Sequence, residues 1–130
     1  MTAPSQTDKT DKTDKTDKTD KTDKTDHAYV LAQELVKLLD EKKAENIVTL
    51  DIRSKASFCD YLVIASGNVS RQIIAMADHL VRSLKNQDIH ALVEGVEQGD
   101  WILIDAGDVV IHLFRSEVRE RYSLEKMWTA

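Results

Sequence analysis

Cys59-Asp60, Asp105 and Asp108 are the residues of this 130-residue chain best equipped for bond-making chemistry. Carboxylates at strand ends hold the paired cations of phosphoryl-transfer enzymes, which need two on one strand face and a third opposite. No Asp-x-Asp occurs here on a predicted strand. Asp105 and Asp108 instead bracket Ala106-Gly107, where aspartates commonly accept from turn amides. They read as turn residues. A nucleophilic Cys59 would need an activating neighbour, and a lone cysteine beside apolar strands reads as a small buried hydrophobe. Four histidines, His27, His79, His90 and His112, lack the paired spacing of a zinc site, so no metal is expected. His112 lies inside an apolar strand with no triad partner following it, which suits a hydrogen-bonded structural or interface histidine.

Phosphate chemistry finds no cradle either. There is no Walker pattern, and Gly95, Gly99 and Gly107 fall in loops rather than opening a helix. Ser66-Gly67-Asn68-Val69-Ser70 does precede a helix and could meet an anion there, but a strand-to-helix turn needs the same residues for backbone reasons. No cofactor is implied. Large amphipathic groups remain: Tyr61, Trp101, Tyr122 and Trp128, among only seven aromatics. Tryptophan, tyrosine and arginine dominate interface hot spots, so these residues suggest a binding surface.

These residues must be held by a domain, and the hydrophobic pattern says which elements do so. Asp26 stands as an N-cap before a helix over 27–43, with Leu31, Leu35, Leu38 and Leu39 on one face. Residues 46–52 are rich in β-branched types and predict a strand. The unbroken run 61–65 predicts a strand covered on both sides. Ser70 can cap a second helix whose buried stripe is Ile73, Ala77, Leu80, Val81 and Leu84, stopped at 86–88. A short strand over 90–93 follows. Residues 101–104 and 109–114 form a hairpin in which Gly107 takes a positive φ. Ser116 caps a last short helix ending near Tyr122. This order predicts an α/β (α+β) fold: a mixed sheet of about five strands flanked by helices.

Ahead of the domain, Thr-Asp-Lys repeats six times from Thr7 to Lys24. With no apolar residue in the repeat to bury, 1–26 cannot offset its ordering entropy and is expected to stay a solvated, disordered tail, leaving 27–130 as one domain. The tail takes six of the chain's 18 basic and seven of its 23 acidic residues, so the domain carries −4. That charge disfavours direct nucleic-acid binding and suits a basic protein partner. Neither a secretory leader nor a transit peptide is legible, and no run is of membrane-spanning length, so a cytoplasmic protein without a membrane contact is expected.

Four stretches then carry a resemblance. Cys59-Asp-Tyr-Leu-Val-Ile-Ala-Ser-Gly67, Ser70-Arg-Gln72, 99–114 and Arg121-Tyr-Ser-Leu-Glu-Lys-Met-Trp128 strongly resemble the ribosomal silencing factor family, also called the Iojap family, from about residue 28 to 128. The resemblance implies a translational repressor that binds the large ribosomal subunit through its protein fourteen and blocks joining of the small subunit when nutrients are short. It also implies a nucleotidyltransferase-like fold, but Ser66-Gly67 leads into a helix here and the catalytic motif is missing, so no enzyme is expected. A nucleotide-binding enzyme of that fold is the alternative reading, and a homodimer through a sheet edge is a third. For the ribosomal-protein contact the resemblance and the aromatic argument together select Trp101, Asp105, His112 and Tyr122, with Asp60 and Arg71 beside them.

Overall fold

The computed structural model describes residues 19–122, with side chains over 27–121. Helix α1 (Thr19–Glu41) is followed by strands β1 (Glu45–Asp51) and β2 (Tyr61–Gly67) and helix α2 (Ser70–Asn86). Strands β3 (Leu92–Glu94), β4 (Trp101–Asp105) and β5 (Val109–Arg115) come next, then helix α3 (Ser116–Tyr122). The strands make one sheet in the order β1-β2-β5-β4-β3. β2 and β5 are parallel, whereas the other neighbours are antiparallel. The mixed α+β sheet predicted from the element order is therefore the one observed.

The central strands explain their own apolar runs. Every residue of β2 is buried, because α1 and α2 cover one face while α3 and the segment after β1 cover the other. On the helix side, Ala28, Ala32, Leu35 and Leu39 of α1 and Ile73, Met76, Ala77, Leu80 and Leu84 of α2 close over Val63, Ala65, Ile102, Ile104, Ile111 and Leu113. Each fully buried leucine or isoleucine there contributes roughly 1.5–3 kcal/mol of transfer free energy. A smaller core of Ile52, Cys59, Leu62, Ile64, Val110, Phe114 and Val118 fills the opposite side.

Four local expectations are corrected. α1 begins at Thr19, inside the Thr-Asp-Lys repeat, and passes through Asp26 instead of being capped there. Once the packed half at 28–39 has met the cost of nucleation, each added residue gains a hydrogen bond, so the helix can propagate into polar sequence. The remainder of the tail, 1–18, lies outside the described residues. α2 is capped at Val69 in extended conformation, not at Ser70, and no side chain caps it directly. Instead Gln72 Oε1 accepts from the amide of Asn68, the residue before the N-cap, at 2.9 Å. Strand β3 is Leu92–Glu94, not 90–93. Ser116 Oγ donates to the Gly67 carbonyl at 3.3 Å, fastening α3 to the end of β2 rather than capping its own helix.

Candidate protein-docking face

Strand alternation determines which side chains share the face that α1 and α2 do not cover. Trp101 pairs with Phe114 and Leu103 with His112, while Asp105 pairs with Val110 and Leu92 with Asp105. Paired residues point to the same side, so Trp101, Leu103, Asp105, His112, Phe114, Leu92 and Glu94 occupy one surface of β5, β4 and β3. Phe114 is fully buried beneath α3, Leu103 and His112 are half-buried, and Leu92 is 70% exposed. The surface therefore opens from a closed core at β2 to bare sheet at β3.

At its centre lies an aromatic group. The Trp101 ring sits 4.8 Å from that of Phe114, and His112 stacks on Phe114 at 6.1 Å with an interplanar angle of 11°. Trp101 Nε1 donates to His112 Nδ1 at 2.9 Å. An Nδ1 that accepts must be unprotonated, so the neutral ring carries its proton on Nε2. Burial pushes the His112 pKa down to about 4, in agreement with that bond. The pair is rigid and uncharged at neutral pH, with Trp101 still 36% exposed at its surface. Such an anchor loses little side-chain entropy when a partner covers it.

A glycine makes this placement possible. Gly95 has φ +90°, and a Cβ there would fall 2.1 Å from the Trp101 carbonyl oxygen. The loop after β3 can pass this close to β4 only without a side chain.

Asp105 borders the face and is the turn residue its sequence context suggests. Its Oδ1 accepts from the Gly107 amide at 2.9 Å, and Gly107 itself has φ +91°. Asp60, half-buried at the start of β2, lies at the same end of the sheet, where its amide donates to the Asp108 carbonyl at 2.8 Å. Cys59 is buried between these strands; burial first, then Asp105 and Asp60, push its thiol up to about 11. It is a packing residue and a poor nucleophile. Among the described residues no three His, Cys, Asp or Glu side chains gather as metal ligands.

Of the six residues selected from sequence, the structure brings Trp101, His112 and Asp105 together and puts Asp60 beyond their acidic end. Arg71 stands apart, exposed on α2 among Ala75, Asp78, Val93 and Val96 on the helix side. Tyr122 ends α3, and its side chain lies outside the described residues, as does Trp128. Sequence reasoning missed Leu92, Leu103 and Glu94, whose membership depends on which strand lies beside which. It also missed Arg119, which is buried on α3 with its Nη1 donating to the Asn46 carbonyl at 2.6 Å and to Ser66 Oγ at 2.7 Å. Arg119 ties α3 to the irregular start of β1, and nothing in a seven-residue polar helix signals that role.

Comparison with known proteins decides which family uses this scaffold. The family model described as ribosomal silencing factor during starvation matches residues 22–130. The chain belongs to the ribosomal silencing factor family. It is 48% identical over 91 residues to ribosomal silencing factor RsfS of Zymomonas mobilis, covering 69% of this chain and 68% of that protein. Mouse mitochondrial assembly of ribosomal large subunit protein 1 is 38% identical over 99 residues, covering 73% of this chain and 43% of the mouse protein. A crystal structure of a Chromobacterium violaceum protein matches with a TM-score of 0.75 at 31% identity, covering 78% of this chain and 85% of that one. The silencing-factor match starts within the Thr-Asp-Lys repeat, where α1 also continues upstream.

Proposed function

We propose that this silencing-factor domain is a non-enzymatic repressor of translation that docks on the large ribosomal subunit, through its protein fourteen, and excludes the small subunit. It acts by occupancy, with no bond made or broken. Family membership supports the ribosomal setting, and the observation that carries the docking reading is the rigid Trp101–His112 pair on an open sheet face. Asp105 and Glu94 rim that apolar centre, and the acidic domain suits a basic ribosomal protein. A partner covering this face needs to bury roughly 800 Å² on each side for a stable contact. Subunit joining and factor binding then compete for one surface, so each suppresses the other by mass action. Repression under nutrient shortage and action in the cytoplasm belong to the same proposal; among the described residues no helix is long and apolar enough to cross a membrane.

Sedimentation of purified large and small subunits with and without the protein tests the proposal. Co-migration with large subunits and fewer joined particles is the expected result. Normal joining at saturating protein would overturn it.

A further inference from the structure

The same sheet ends, on its other side, in an edge beyond the main helix contacts. α1 packs over β1, β2 and β5, and α2 over β2, β5 and β4, so the main helix contacts stop before β3. Beside β3 this leaves a groove of about 460 Å³, with Ile74, Ala75, Val81, Val93 and Val96 as its apolar lining and the charged Arg71 and Asp78 on its helix wall. Val96 is 40% exposed. On the opposite face of the same strand Leu92 projects into solvent. As the outermost strand, β3 also turns half of its backbone N–H and C=O groups away from β4.

We infer that the β3 edge and its groove form a second docking site, which takes an extended segment of a partner protein with alternating apolar and basic residues. A strand added to β3 sends successive side chains to opposite faces, so one occupant fills the groove and also covers Leu92. A helix lying in the groove would leave Leu92 bare. Charge selects the sequence type. Glu94 and Glu97 flank the edge, both exposed, and among the described residues neither carboxylate makes a hydrogen bond or ion pair. On the groove side Asp78 is engaged by Arg82 at 2.9 Å and the exposed Arg71 stands beside it, so the apolar residues of an added strand face the groove and its basic residues face Glu94 on the Leu92 side. A second copy of this chain would bring its own Glu94 and Glu97 to the same edge, and like charges across paired strands oppose that pairing. Basic side chains on a partner strand relieve it. With only three residues, β3 offers few main-chain bonds, which makes this a transient contact dependent on the groove and the glutamates.

The test uses the full chain and a fluorescent eight-residue peptide alternating valine with lysine. A block peptide of four valines and four lysines controls for charge alone, and an alternating valine–glutamate peptide controls for its sign. Ala75→Arg fills the groove from an exposed helix position. The double variant Glu94→Lys with Glu97→Lys reverses the charge. Circular dichroism checks that both variants fold. The alternating lysine peptide should bind the parent chain and lose about tenfold or more on either variant, while the charge-reversed variant gains the glutamate peptide. Leu92 and Glu94 also border the ribosomal face, so Trp101→Ala, which should leave peptide binding intact while weakening large-subunit binding, separates the two contacts. Absence of binding up to about millimolar peptide overturns the inference, as does equal binding of the block peptide or equal binding by all variants. Self-association that Ala75→Arg abolishes would assign the edge to a second copy and overturn it too.

Discussion

The two faces of the sheet differ in how they are closed. The helix-covered face buries Val63, Ala65, Ile102, Ile104, Ile111 and Leu113 under α1 and α2. The other face is closed only around Leu62, Ile64, Val110 and Phe114, and opens toward Leu103, His112, Trp101 and Leu92. Apolar side chains occur on both. The difference is cover, and it means that stability rests mainly on one side while recognition can be placed on the other.

The greatest loss of stability should come from the covered face. Leu35→Ala, at a fully buried position, is expected to cost about 2–5 kcal/mol by urea denaturation. A cost below about 1 kcal/mol would mean that the helix layer is not the main source of stability. Arg119→Leu comes next, with about 2 kcal/mol expected from the loss of its charged hydrogen bonds to Asn46 and Ser66. Since α3 roofs Phe114, near-UV circular dichroism should register that loosening as well.

On the open face the balance reverses. Trp101→Ala is expected to weaken large-subunit binding by about 2 kcal/mol or more, measured by co-sedimentation, with a smaller change in folding stability. If the variant unfolds instead, Trp101 is a core residue and the contrast between the faces fails.

His112 supplies a test by pH. Its folded-state pKa of about 4 lies below the ordinary 6.5, so the unfolded chain binds more protons between those values. Its contribution is full above pH 6.5 and is lost as pH falls to about 4. On the order of 3 kcal/mol is at stake, and His112→Gln should flatten that part of the stability profile. An unchanged slope in the variant would show that another group is responsible. The smallest effect belongs to Arg71→Ala, which stands on the helix side and should change large-subunit binding by less than about 0.5 kcal/mol.

Much of this architecture is legible in the chain. The run from Tyr61 to Ala65 could only be a strand covered on both sides, and the turn at Asp105–Gly107 was readable from residue type. His112, inside an apolar strand and without a triad partner, was readable as a hydrogen-bonded residue, although its acceptance from Trp101 was not. Helix ends were less legible. Asp26 and Ser70 carry capping side chains, yet propagation from the packed part of α1 overrides one, and the local geometry puts Val69 in the other's place.

What residue order alone established is periodicity: which segments are helices or strands, and which side of each is apolar. Those properties depend on neighbours one to four positions apart, so they survive without knowledge of the rest. Adjacency had to come from folding. The crossover through α2 sets β5 beside β2 and carries β4 and β3 outward, which stacks Trp101 on Phe114, aims its indole at His112 and sends Arg71 to the far layer. Contacts between residues far apart in the chain depend on strand order and register, and no local pattern encodes either.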